Sequence, residues 1–435
     1  MEDAVRIALG QHPSIASAGY QVEAAEAGIG SAESSYYPQL NLSGSFNHSE
    51  NQRTVAINTP TGVAVTNLQG STSQVSVNNS ASIQANLNQV LLDPTLGPRV
   101  ESATQGYRAS EFELDRTRQD VVAEVRRQFV ATRNNQELVR IAIRQVDTDR
   151  AHLREAQSFY EVGTRARIDV LRAEAQLAQS ELTLERAKNR LDVSWVTLNV
   201  AMGLPQSTRY RLADQSYNLN PASVDRQRLL ETALALRPEL QTQQARLRAT
   251  LANLEATFAD RLPRLSANMG YNLSGSPSPL DPGWNVGVNL SWALFDGFLT
   301  RYQALEQIKT AQSQAEELRQ SQNTVYQEVQ SNYLDWSTAY RSISRAEVNE
   351  QAAKEAFVIA QERYRVGVGS YLEFLDAELA WRTAQVELVQ AQTDYHTARI
   401  NLERAIGVAN LEELPPPLPP VEADEIPFTE EDQAP

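Results

Sequence analysis

The sequence predicts a mixed α and β fold made by internal duplication. Four strands per chain contribute to a membrane β-barrel shared between subunits, and they continue into two long helical hairpins. Three observations predict it. One order of elements is written twice, four stretches alternate apolar and polar residues strictly, and the long helices carry two apolar columns instead of one.

The duplication is read first, because a repeat governs the whole fold. Tyr160–Ala178 reads YEVGTRARIDVLRAEAQLA and Tyr364–Arg382 reads YRVGVGSYLEFLDAELAWR, an offset of 204 residues. The helix ends Val200–Gly203 and Arg404–Gly407 share that offset. Upstream, Pro13 and Pro238 each precede a second proline by 25 residues, Pro38 and Pro263. The first repeat spans 1–203, with short helices in 2–36, a β-hairpin in 38–93 and a long helical hairpin in 97–203. After a linker, 204–224, the second spans 225–407, with short helices in 225–261, a β-hairpin in 263–296 and a helical hairpin in 297–407. Residues 408–435 form a proline-rich acidic tail whose composition predicts disorder. The repeats differ chiefly in one loop, Glu50–Gln74, rich in Thr, Asn and Val.

In the strands, Leu40, Leu42, Gly44 and Phe46 oppose Asn41, Ser43, Ser45 and Asn47. Val75 to Leu87 alternates in the same way, as do Leu265–Ser274 and Trp284–Trp292. The polar faces carry Asn and Ser where a water-facing sheet usually carries Lys and Glu. Between Leu265 and Phe295 the one charge is Asp281. Strands of about ten residues with apolar outer faces and aromatic ends, here Trp284 and Trp292, match a membrane barrel better than a soluble sandwich. Four strands cannot close a barrel, so other subunits must supply the rest.

From Phe374 a heptad column of large residues runs through Trp381, Leu388, Tyr395 and Leu402, beside small ones at Ala377, Ala384, Ala391, Ala398 and Ala405. Val170, Leu177, Leu184, Leu191 and Leu198 repeat it, against Ala173, Ser180, Ala187, Ser194 and Ala201. Large against small is knobs-into-holes packing at close approach. A second column, Leu372, Leu379, Val386 and Ile400, lies almost opposite, so this helix expects neighbours on both sides. The helix from Gly97 to Val162 would be roughly 100 Å long at ~1.5 Å per residue. Gly163 and Gly367 interrupt the periodicity where each long helix meets its antiparallel partner.

Composition excludes other classes. A net charge of −15 leaves no basic footprint for nucleic acid. Without cysteine there is no disulfide, thiolate site or lipidated cysteine. The four histidines fall at no metal spacing, no cofactor fingerprint appears, and an enzyme is not expected. No run is long and apolar enough for a transmembrane helix. Met1-Glu2-Asp3 leads straight into amphipathic helix, as in a cytosolic protein or a chain starting after signal removal.

The duplicated YxVG…(I/L)(D/E)xLxA phrases, the P-x-L strand starts and the strand ends at Leu92-Asp93-Pro94 and Phe295-Asp296-Gly297 resemble the TolC-type outer-membrane efflux protein family over nearly the whole chain. That resemblance implies a homotrimer with a 12-stranded barrel in outer-membrane lipid, an α-helical barrel crossing the periplasm, and a belt that takes in the 204–224 linker. It implies the exit duct of a tripartite efflux or type I secretion system, passive and without cofactors. A periplasmic adaptor and an inner-membrane pump or ABC exporter would be its partners. By the same likeness Val162, Gly163 and Thr164, with Val366, Gly367 and Val368, are adaptor-docking positions. Glu373 and Asp376 match the pore constriction, while Asp169 and Tyr364 match members of the tip gate. Gly369 departs from the family pattern by replacing a basic residue, and Arg165 holds the equivalent place in the first repeat. Read without the resemblance, Glu373 and Asp376 are also what any helix start favours, and a soluble elongated scaffold is the alternative function.

Overall fold

The computed structural model describes residues 1–54, 73–206, 208, 210, 212, 225–276, 279–408 and 411. The element order is α1 (Glu2–Gln11), α2 (Pro13–Glu33), a short 3-10 turn (Ser34–Tyr36), β1 (Gln39–Thr54), β2 (Ser73–Leu92), α3 (Leu96–Glu161) and α4 (Arg167–Ala201). The second repeat follows with α5 (Arg226–Leu236), α6 (Pro238–Ala259), β3 (Arg264–Gly275), β4 (Asp281–Ser291), α7 (Leu299–Arg365) and α8 (Tyr371–Ile406). The chain divides into two compact units, and each takes a part of both repeats. One comprises Met1–Glu23, Arg108–Ala245 and Gln314–Pro435; the other comprises Ala24–Tyr107 and Arg246–Ser313. Duplication in sequence is therefore not division in space.

The second unit holds a four-stranded antiparallel sheet in the order β1-β2-β3-β4, with β2 on β3 joining the repeats. Its register carries the alternation across all four strands. Leu42, Ala85, Tyr271 and Trp284 form one row, and Leu40, Leu87, Met269 and Val286 the next. Apart from Ala85 these residues are exposed, from Leu87 at 37% to Leu42 and Trp284 at 76%. The opposite face runs Asn41, Asn86, Gly270, Asn285, and a Cβ at Gly270 would collide with both the Asn285 and Asn86 side chains. Glycine there makes room for an asparagine-rich surface. β1 and β2 are longer than the alternation suggested, at 16 and 20 residues. They pair as far as Thr54↔Ser73, so both ends of the expected Glu50–Gln74 loop are strand. Backbone pairing extends a hairpin whatever the polarity of its side chains. Residues 55–72 lie outside the described residues, as do most of 204–224 and all of 412–435.

Each strand pair leads into a long helix through the same device. Asp93 Oδ1 accepts hydrogen bonds from Thr95 N (2.9 Å) and Oγ1 (2.7 Å) before α3. Asp296 Oδ2 accepts from Thr300 N (2.8 Å) and its hydroxyl at the start of α7. A carboxylate over the first free amides satisfies donors that the helix cannot. The hydrogen bonds from Thr300 hold the Asp296 carboxyl below its usual range.

In the first unit the two repeats pack alike. Val5 and Ala8 of α1 sit against Val121, Val125 and Phe129 of α3 and Leu198 and Ala201 of α4. Leu229 and Ala233 of α5 sit against Val325 and Val329 of α7 and Tyr395, Leu402 and Ile406 of α8. Val408 and Leu411, just beyond α8, pack on this second core. The small column of α4 is buried throughout: Ala173, Ser180, Ala187, Ser194 and Ala201. The hairpins meet along α3 and α8, where Ile400 packs between Ala123 and Val130. Arg126 reaches Glu403 at 3.2 Å and Arg404 reaches Asp120 at 2.7 Å. Helix α8 thus has α7 on one side and α3 on the other, as two apolar columns require. The second column is used only in part, since Leu372, Leu379 and Val386 stay exposed while Phe374 and Glu378 are buried. A helix of 3.6 residues per turn drifts against a strict heptad, so the residues facing α3 change along its length.

Candidate functional site at the helical tips

Both tips are built by the same turn. In the first, Thr164 N donates to Phe159 O and Gly163 N to Tyr160 O, each at 3.0 Å, with Gly163 at φ 74. In the second, Val368 N donates to Arg363 O (3.0 Å) and Gly367 N to Tyr364 O (3.1 Å), with Gly367 at φ 82. This paired closure satisfies the last helix carbonyls and needs a left-handed residue at its turn. Nothing lies within 4 Å of a Cβ built on either glycine, so backbone conformation, not space, selects it. Ser370 then caps α8 by accepting from Glu373 N at 3.1 Å. Val162, Val366 and Val368 stand 63–71% exposed on the turns.

Behind the second turn lies an aromatic cluster of Phe357, Tyr364, Tyr371 and Phe374, with Trp381 stacked on Phe357 at 4.9 Å. Arg165, from the first tip, places its guanidinium 4.7 Å over the Tyr364 ring and donates to Tyr364 O at 3.4 Å. Two of the three tip-gate residues expected from the sequence therefore meet. Asp169, the third, is half-buried at the start of α4, near enough for its charge to act on Tyr364. Burial pushes the Tyr364 phenol up.

Glu373 and Asp376 are both exposed, three residues apart on α8. Arg363, which the sequence reading missed, lies 3.3 Å from Glu373. Gly369 explains the pairing. A Cβ there would sit 3.0 Å from Arg363 Cβ and 3.1 Å from its carbonyl carbon, and Gly369 N donates to Arg363 O at 2.9 Å. A side chain at 369 would crowd Arg363 and force a small shift there, and the cations beside this turn are Arg363, Arg365 and, from the first tip, Arg165.

The reading also missed Asp149, His152 and Glu378, buried where α3 meets α8. Glu378 follows Phe374 by four residues and precedes Trp381 by three, so the heptad pattern itself put it in the seam.

A four-stranded sheet with one apolar and one asparagine-rich face, together with two long helical hairpins closed by exposed glycine turns, defines the class of fold. Residues 4–204 and 229–408 each match the family described as outer membrane efflux protein, and the chain belongs to that family. It is 24% identical over 367 residues to "Probable efflux pump outer membrane protein TtgC" of Pseudomonas putida, covering 80% of this chain and 72% of that one. It is 25% identical over 335 residues to "Alkaline protease secretion protein AprF" of Pseudomonas aeruginosa, covering 74% and 68%. Among solved structures it shares the fold of the outer-membrane channel OprN, with TM-score 0.76, 20% identity and coverage of 93% and 89%. The Campylobacter jejuni CmeC channel gives TM-score 0.76 at 19% identity, over 93% and 85%. Family membership favours an outer-membrane channel over the soluble scaffold.

Proposed function

We propose that this protein is the outer-membrane exit duct of a tripartite efflux or type I secretion assembly, a passive channel gated at its helical tips. The observation that carries the reading is the sheet: four strands with an exposed apolar face, an asparagine-lined opposite face, and outer edges on β1 and β4 that pair with no strand among the described residues. Open edges cannot persist in hydrocarbon, where each unsatisfied backbone group costs several kcal/mol. Three chains contributing four strands each would close a 12-stranded barrel, which makes assembly and membrane insertion one event. The exposed Leu372, Leu379 and Val386 of α8 give the helical part apolar surface for neighbouring protomers.

Relatives named for an efflux pump and for alkaline protease secretion both fit a duct whose cargo is chosen upstream, by an inner-membrane pump or ABC exporter. The exposed turns at Val162-Gly163-Thr164 and Val366-Gly367-Val368 are the surfaces offered to a periplasmic adaptor. Glu373 and Asp376 form the constriction, and Asp169, Tyr364 and Arg165 hold it shut. In this reading Arg363 partly neutralises Glu373 and tempers the ring's preference for cations.

The test is assembly in lipid. The purified chain reconstituted in vesicles should be a trimer by native mass and should conduct ions. A stable detergent-solubilised monomer with full β content would overturn the reading.

A further inference from the structure

Two carboxyls are buried side by side in the seam between the hairpins. Asp149 of α3 is 2% exposed and Glu378 of α8 is 4% exposed. One nitrogen, Gln145 Nε2, donates to both, at 3.0 Å to Asp149 Oδ1 and 2.6 Å to Glu378 Oε1, and so holds them within a few ångströms. Asp149 Oδ2 is buried without a hydrogen-bond partner, and no cation bonds either carboxyl among the described residues. Two ionised carboxylates are acceptors only, and a single amide cannot offset two charges in such a seam.

The surrounding groups do not supply the missing charge. On α3, His152 lies against the Phe374 ring at 4.4 Å, with Nδ1 3.5 Å from Glu155 Oε2, and neither ring nitrogen makes a hydrogen bond. Burial lowers the His152 pKa and so favours its neutral form. Arg382 on α8 attracts Glu378 only through its field. Tyr371 on α8, which feels the charges of both carboxyls, and Tyr364 on α7 and Asp169 on α4 beside it bring no positive charge. Arg165 is spent on Tyr364.

We propose that Asp149 and Glu378 form a proton-sharing joint between the hairpins, closed while the pair holds one proton and loosened when that proton leaves. The inference rests on the tip-gated duct, since the joint lies about three turns from the tip end of α3 and about two from the tip end of α8. With one proton present, the neutral carboxyl donates its O–H to the other, and Gln145 spans both. When it leaves, like charges face each other across the seam and separate α3 from α8. Burial, then the Asp149 charge, pushes the Glu378 carboxyl up to about 7. Because this pKa is raised, the joint's contribution is whole below the ordinary carboxyl range and is lost as pH rises through about 7. The tips should open toward alkaline pH.

The chain has no cysteine, so Thr164→Cys with Val368→Cys puts one spin label on each turn without background. In labelled chains diluted with unlabelled ones and reconstituted in vesicles, the distance between turns should lengthen between pH 5.5 and 8.5, with a midpoint near 7. Glu378→Gln should keep the short distance throughout, and Asp149→Asn should do the same, each checked for unchanged helical content. An unmoved distance in the parent, or Glu378→Gln opening at the parent's midpoint, would overturn the joint. Conductance of the same vesicles separates the two readings. A distance that moves while conductance does not supports the joint and refutes the tip gate. Conductance that responds with an unmoved distance refutes the joint and leaves the duct standing.

Discussion

Lysine scanning of β4 tests the barrel directly, because the strand's geometry sets a depth for every residue. β4 runs Asp281–Ser291, 11 residues, about 36 Å at ~3.3 Å per residue. Tilted by ~45°, it rises about 25 Å, the height of the apolar band of an outer-membrane barrel. Val286 is then at mid-depth, Val288 about 5 Å from it and Leu290 about 9 Å, near the interface. All three are exposed on the apolar face, at 64%, 66% and 64%. Val286→Lys should cost ~2–4 kcal/mol per chain, Val288→Lys somewhat less, and Leu290→Lys ~0–1 kcal/mol. A trimer carries three copies, so the mid-depth variant should lose roughly 6–12 kcal/mol of assembly free energy. Asn289→Lys, on the opposite face, should cost far less. Urea titration of refolding into lipid vesicles, followed by Trp284 and Trp292 fluorescence, measures each cost. Equal penalties on the two faces, or none graded with depth, would refute both the orientation of the sheet and the barrel.

Gly163→Val or Gly367→Val should strain its turn by ~1–2 kcal/mol and block export while leaving the trimer intact; unchanged export in both would remove the docking surface. Multivalent cations added at the tip side should block the reconstituted channel, less so in high salt. Glu373→Gln with Asp376→Asn should abolish the block, whereas Arg363→Gln should tighten it; a double variant blocked like the parent would place the constriction elsewhere. His396, whose pKa burial lowers to about 4 with help from Arg133 and Arg399, is neutral in the fold. Its contribution is present above the ordinary histidine pKa of about 6.5 and is lost as pH falls through about 4, on the order of 3 kcal/mol. His396→Gln should flatten that part of the acid-stability curve, and an unaltered curve would show that another group governs it.

Much of this protein is written in local patterns, because local patterns answer to local physics. Strict alternation from Leu40 and from Trp284 specifies a two-faced strand, since a slip of one residue would exchange every side chain between faces. The Gly163 and Gly367 turns are legible because only a left-handed residue closes that hydrogen-bonded turn at low cost. The paired Asp caps at Asp93 and Asp296 belong with them. Contacts between distant segments were not legible. Nothing near Tyr364 in the chain says that Arg165, from the other tip, lies over its ring. The partners of Glu378 are not written near it, since α3 brings Asp149 and Gln145 against it from more than two hundred residues away. Spacing along a helix tells which residues share a face, and so put Glu378 in a seam. Which helix faces it, and whether that neighbour brings a cation or a second carboxyl, was decided only when the two hairpins packed side by side.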